Sequence, residues 1–296
     1  MLSSQNGVEK EKKKLYGGFE SGLEWIQRLA ARDGLLQSPI NISLSFATPL
    51  QLELLQWNCF EIVPKKLKLT NTGRTLQISA SWFDEKPTLC GGPLNDVFEF
   101  SQLHFHWGAV DMEGSEHTVD DVKYPLEMHV VFFKSEYLTH EAALKQKDGV
   151  TVLVYLFQLH AGTNIVINYV LSKLFFIGQA VSSARLSNIP LQFFLKKFEE
   201  DYFLYWGSVV TATKSHSILW LICREPIEIT LDQMASFRLL LNSDSEPMLS
   251  NYRTLQPLGK RRLFHICPST VQYASMLPVS RPDETMINDF QFITNS

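Results

Sequence analysis

Between residues 51 and 159 the chain passes through six segments of strand-type composition: Gln51–Trp57, Leu67–Thr70, Thr75–Ser81, Phe98–Trp107, Leu126–Lys134 and Val150–Leu159. Turn signals such as Asn71-Thr72-Gly73 and Cys90-Gly91-Gly92-Pro93 separate them. Apolar runs this short, broken this often, have no room for a series of helices and demand a sheet. Helical periodicity is confined to Gly22–Arg32, Ile165–Phe176 and Leu231–Leu241. No repeat, linker or shift of composition marks a second core. The expected organisation is one β-rich domain over 15–268, with a polar tail at 1–14 and an arm or tail at 269–296.

Composition removes several function classes. Of 296 residues, 45 % are apolar and 20 % charged, enough to fill one large core. The net charge of −4 offers no basic field for nucleic acid or an anionic membrane surface. The greasiest stretches, Val150–Leu159 and Ile218–Cys223, fall short of the ~20 apolar residues of a membrane span. The N-terminal segment has no apolar stretch behind its charges, as a secretory signal would. Cys59, Cys90, Cys223 and Cys267 show no CxxC spacing and suit a reducing compartment, so a cytoplasmic location is expected.

The segment Gln102-Leu103-His104-Phe105-His106-Trp107-Gly108 carries the chemistry. Side chains alternate along a strand, so His104 and His106 share a face, about 6–7 Å apart along the chain. A second strand segment places Glu127, His129 and Val131 on one face. The connection 109–125 is long enough to bring the two strands side by side. Three histidines then converge, and three nitrogen ligands with an open fourth position are how catalytic zinc is held. By pattern alone, a His-x-His in a strand is more often chance than a metal site, and the pattern leaves both readings open.

Longer motifs add to it. Gln37-Ser38-Pro39-Ile40-Asn41-Ile42, Gly91-Gly92-Pro93-Leu94 and Gly114-Ser115-Glu116-His117-Thr118-Val119-Asp120 are followed by Glu127-Met128-His129, Arg224-Glu225-Pro226-Ile227, Asn251-Tyr252-Arg253 and Gln256-Pro257-Leu258. Together they resemble the alpha-class carbonic anhydrases from about Tyr16 to Cys267. The resemblance implies a single domain built on a large twisted, mostly antiparallel sheet of about ten strands with short peripheral helices. It implies reversible hydration of carbon dioxide to bicarbonate, zinc lowering the pKa of its water to near neutrality. That property belongs to the family and is not a measurement on this chain.

By the same resemblance His104, His106 and His129 are the zinc ligands, and Gln102 and Glu127 hold two of them by their outer nitrogens. Val131, Val152, Val209 and Trp220 match the apolar wall where carbon dioxide waits; on sequence alone they read better as plain strand core, and only the resemblance reverses this. Tyr16 matches a tyrosine of the solvent network, and Glu116 a buried glutamate that receives the proton of an orienting threonine. A small-molecule substrate, no nucleic acid, no membrane span and a monomer complete the expectation.

Three departures matter. Counting back from Trp220 puts Val210 where the family has the threonine that orients the attacking hydroxide, and valine neither donates nor accepts. A one-residue slip would bring Thr211 there, but a slip in a regular strand flips its face unless a bulge absorbs it. At the position of the histidine that shuttles protons in fast members stands Arg74, which cannot deprotonate. Finally, the two cysteines that secreted members often pair, before Gln37 and before Trp220, are both absent. The expected activity is a working but slow enzyme, with Glu116 and Thr211 as catalytic candidates. The alternative is a zinc-binding, catalytically impaired relative acting as a binding module.

Overall fold

A computed structural model describes residues 37–210 and 215–267. Tyr16, the helix expected at Gly22–Arg32, Thr211 and the C-terminal arm lie outside the described residues. The protein is built on one sheet of 13 strands. Its continuous path runs through Ser182–Leu186, Lys66–Asn71, Leu76–Ser81, Phe98–Trp107 and Leu126–Lys134. It continues through Val150–Leu159, Ser215–Cys223, Tyr202–Val210, Phe264–Ile266 and Thr48–Leu50. Leu55–Asn58, Thr88–Gly91 and Ile227–Ile229 attach beside this path. Val150–Leu159 runs parallel to Ser215–Cys223 and Ile227–Ile229, and Phe264–Ile266 to Thr48–Leu50; the other pairings in this sheet are antiparallel.

Two local expectations are corrected. Gln51–Trp57 is not one strand: Thr48–Leu50 pairs with Phe264–Ile266, Leu55–Asn58 pairs with Thr88–Gly91, and 51–54 carry the chain between them. The helical stretch from Ile165 is two short helices, Ile165–Leu171 and Leu174–Ile177, and the next helix covers only Leu231–Phe237. Asn164 and Thr230 start two of these by accepting the N–H of Ile167 and Gln233 on their side chains.

The central strands are buried on both faces, which is why they read as nearly unbroken apolar runs. In Leu126–Lys134, Leu126, Met128, Val130 and Phe132 enter one core, while Val131 and Phe133 enter a second core on the opposite face. Val150–Leu159 divides in the same way, with Leu153, Tyr155 and Phe157 against Val150, Val152, Val154 and Leu156.

Phe98–Trp107 departs from simple alternation. Phe98, Phe100, Leu103, Phe105 and Trp107 all join the first core, although the first two are even-numbered and the rest odd. The reason is a bulge: Phe100 pairs with Phe132 but Gln102 pairs with Val131, leaving Ser101 as the extra residue. The bulge reverses the phase of the strand. Gln102, His104 and His106 therefore face away from the phenylalanines with which strict alternation would group them.

Candidate metal centre

Strand register assembles the site in rows. Gln102 pairs with Val131, Val131 with Val152, Val152 with Trp220 and Trp220 with Tyr205. The next row is His104, His129, Val154, Ile222 and Phe203, and His106 pairs with Glu127 beyond it. Neighbouring strands sit about 4.8 Å apart, so pairing alone brings the three imidazoles together. One nitrogen from each of His104, His106 and His129 lies within 4.8 Å of the others.

Each ring is oriented by a partner on its outer nitrogen. His104 Nδ1 is 3.0 Å from Gln102 Oε1, and His129 Nε2 is 2.6 Å from Glu127 Oε1. His106 Nδ1 is 3.2 Å from both the Asn251 carbonyl and Glu116 Oε1. These contacts leave His104 Nε2, His106 Nε2 and His129 Nδ1 turned toward the shared space. His106 Nε2 is buried with no hydrogen-bond partner among the described residues. Such an atom is costly unless something binds it, and a cation between the three rings supplies what it lacks.

Electrostatics keeps the rings receptive. Burial holds His104 well below its ordinary pKa, helped by His106 and His129. Burial also lowers His106, to about 4, although Glu116 pulls it upward. Both imidazoles are thus neutral at neutral pH, with lone pairs available to a metal.

Beneath the histidines lies a buried polar network. Glu127 is fully buried; its Oε2 accepts the His117 backbone N–H at 2.8 Å and its Oε1 lies 2.7 Å from His117 Nδ1. His117 Nε2 is 2.6 Å from the Tyr205 hydroxyl, which is 3.0 Å from Ser38 Oγ. Burial would raise the Glu127 carboxyl, but His117 and His129 outweigh it and hold it well below the usual range. Ligand-type atoms of His117, Glu127 and His129 also lie within 4.8 Å of one another. Both His117 nitrogens and His129 Nε2 are already engaged in hydrogen bonds, so this trio orients His129 and is not a second centre.

Glu116 is held separately. Its Oε1 accepts from the Arg253 backbone N–H at 3.0 Å and from Arg253 Nε at 2.8 Å, and Oε2 accepts from Arg253 Nη2. Burial opposes its ionisation, yet His106 and Arg253 together keep the carboxyl far below its usual range. The loop carrying Glu116 and His117 is tight: a Cβ at Gly114 would sit 1.7 Å from the Pro125 carbonyl oxygen. Glycine is therefore required where the two ends of the connection meet.

The other sequence candidates lie as follows. Val131, Val152 and Trp220 are buried in one row on the histidine face, and the Trp220 ring is centred 5.0 Å from His129. Val209 packs partly buried on the same core. Val210 pairs with Ser215 in a ladder that is unbroken from Tyr202–Cys223 onward. Arg74 is exposed, and its carbonyl accepts a hydrogen bond from Asn251 Nδ2 at 3.0 Å. His117 is bonded to Glu127 and Tyr205.

Arg253, Asn251, Tyr205 and Ser38 are the functional neighbours that sequence reasoning missed. Ser38, Asn251 and Arg253 lie within motifs already singled out, but nothing local says what they touch.

A histidine trio on the central strands of a large, mostly antiparallel sheet, backed by buried carboxylates, is a candidate metal centre of a β-sheet enzyme. The sequence profile of the eukaryotic-type carbonic anhydrases matches residues 20–267. Mitochondrial carbonic anhydrase 5A of Homo sapiens is 32 % identical over 254 residues, covering 81 % of this chain and 79 % of the relative. Carbonic anhydrase 7 of Mus musculus is 34 % identical over 255 residues, covering 83 % and 94 %. Carbonic anhydrase 3 of Homo sapiens is 34 % identical over 205 residues, covering 65 % and 75 %. The chain is an enzyme of the carbonic anhydrase family. No helix among the described residues is long and apolar enough to cross a membrane.

Proposed function

We propose that this chain hydrates carbon dioxide reversibly to bicarbonate and a proton, with zinc held by His104, His106 and His129, and that it does so slowly. The observation that carries the reading is the convergence of three imidazoles whose outer nitrogens are engaged while the buried His106 Nε2 has no partner. Zinc bound there supplies Lewis acidity, making hydroxide available near neutral pH.

The chain's own residues do the rest. Gln102, Glu127 and the Asn251 carbonyl fix the tautomer and aim of the three rings. Val131, Val152, Val209 and Trp220 offer a linear, apolar molecule a dry wall beside them. Glu116, pinned by Arg253, is kept ionised and accepts hydrogen bonds. Arg74 cannot pass a proton, so buffer in solution has to carry it away.

The proposed reason for slowness is Val210, which by the family resemblance stands where the orienting threonine would be. With valine at the orienting position, the hydroxyl that aims the nucleophile is missing. Loss of one such bond costs about 2–4 kcal/mol, or roughly 10²–10³ in rate. The test is stopped-flow carbon dioxide hydration on protein carrying one zinc per chain. Val210→Thr is expected to recover at least about tenfold of that loss in kcat. An unchanged Val210→Thr rate, with a fall on Thr211→Val, assigns the role to Thr211 instead. Full zinc with no turnover in any of these proteins favours the second reading, a zinc-bearing binding module, which the valine supports.

Arg74→His is expected to raise kcat several-fold in dilute buffer and to leave it unchanged in concentrated buffer. An equal gain in both buffers would show that Arg74 acts otherwise than through proton transfer.

A further inference from the structure

A second constellation stands at the far end of the Tyr202–Val210 strand. His265 pairs with Phe203 there, six residues or roughly 20 Å along the strand from Val209. The His265 ring is buried and stacked on Phe203, with centroids 5.0 Å apart and planes 29° apart. Its Nε2 lies 2.7 Å from Asp201 Oδ1, and Asp201 Oδ2 is paired with Arg224 Nη1. In the tautomer with Nε2–H donating to the Asp201 carboxylate, Nδ1 is the acceptor nitrogen of the ring. That nitrogen is 3.4 Å from the Sγ of half-buried Cys267. The thiol is also 3.4 Å from the His265 carbonyl, and of these two contacts the imidazole is the base.

We infer that Cys267, His265 and Asp201 form a thiol-exchange site, in which Cys267 is reversibly modified by a low-molecular-weight disulfide of the glutathione type. A nucleophile, a base and a carboxylate that orients the base are the arrangement by which a cysteine is activated. His265 Nδ1 takes the proton from Sγ. The thiolate attacks one sulfur of the disulfide, a new Sγ–S bond forms, and the old S–S bond breaks. The departing thiolate recovers the proton from His265, so a thiol and a disulfide give a mixed disulfide and a thiol.

The other cysteines lack this setting. Cys90 bonds to Gln56 Oε1 and Asn58 Nδ2, and Cys59 is raised by burial and by Glu85 and Glu61. Burial pushes the Cys223 thiol up to about 12. Burial opposes ionisation of Asp201 too, but hydrogen bonds from His265 and Arg224 keep its carboxyl below the usual range.

The experiment is site-resolved mass spectrometry of the zinc-loaded full chain at pH 7, after iodoacetamide or glutathione disulfide. Cys267 is expected to react at least about tenfold faster than Cys59 and Cys90, and to carry the glutathionyl group. A Cys267 rate no greater than theirs overturns the proposal, and this comparison needs no variant. Asp201→Asn suits the positive φ of 61° at that position and removes the orienting charge. It is expected to bring Cys267 down toward Cys59 and Cys90 without changing those two. An undiminished Cys267 rate in that variant would show that the Asp201–His265 pair does not activate the thiol.

Discussion

His106→Asn is expected to take the protein from the proposed one zinc per chain toward none, with carbon dioxide hydration falling to the level of the metal-free protein. The asparagine side chain is too short to reach the position of Nε2, the buried nitrogen with no partner of its own. Losing a group that merely supports a ligand already costs 10–100-fold in metal affinity, so losing the ligand costs more. Stability reports the same event independently of activity. A ligand present at about a thousand times its Kd stabilises the folded state by roughly 4 kcal/mol, so zinc should raise the unfolding midpoint of the parent protein and not that of the variant. Metal analysis and thermal unfolding with and without chelator read both effects. Stoichiometric zinc retained by His106→Asn at unaltered affinity would refute the ligand assignment.

Arg253→Met is expected to destabilise the fold by about 3 kcal/mol at neutral pH. The figure is the low end for breaking a buried ion pair, because the guanidinium is 36 % exposed while Glu116 is fully buried. A loss of that size lowers the unfolding midpoint by roughly 6–12 °C. Its pH dependence identifies the cause. In the parent, the Glu116 pKa lies below its ordinary 4.5, so it adds stability above pH 4.5 that disappears as pH falls through the lowered value. Without Arg253 the carboxyl loses its hydrogen bonds and its nearest full positive charge, so its pKa moves back up and the stability its ionised form adds at neutral pH shrinks. The gap between variant and parent therefore narrows on acidification from pH 7 to pH 4. Denaturant titrations at both pH values test this. A gap independent of pH would mean that Arg253 matters for its packed stem and not for its charge.

Much of this was legible along the chain. Alternation placed His104 with His106, and Glu127 with His129 and Val131, because a strand repeats every two residues whatever surrounds it. The long buried strands Phe98–Trp107, Leu126–Lys134 and Val150–Leu159 match the segments read from composition. Short elements were less legible. Thr48–Leu50 and Leu55–Asn58 are strands only because they find separate partners, Phe264–Ile266 and Thr88–Gly91.

The polar support was hidden for the same reason. Arg253 lies 137 residues from Glu116, and Asn251 lies 145 from His106; no local pattern encodes such pairs. Nor did the motif around His117 reveal that its partners are Glu127 and Tyr205.

By itself, the sequence determined which residue types were at hand and the faces they share within one strand, since both follow from local covalent geometry. Only the tertiary structure decided how the faces meet. The bulge at Ser101 separates Phe98 and Phe100 from the histidines, and cross-strand register lines up His104 with His129 and Val131 with Val152 and Trp220. Both depend on the cooperative choice of partners that buries two cores at once, a choice made by the whole sheet rather than by any of its segments.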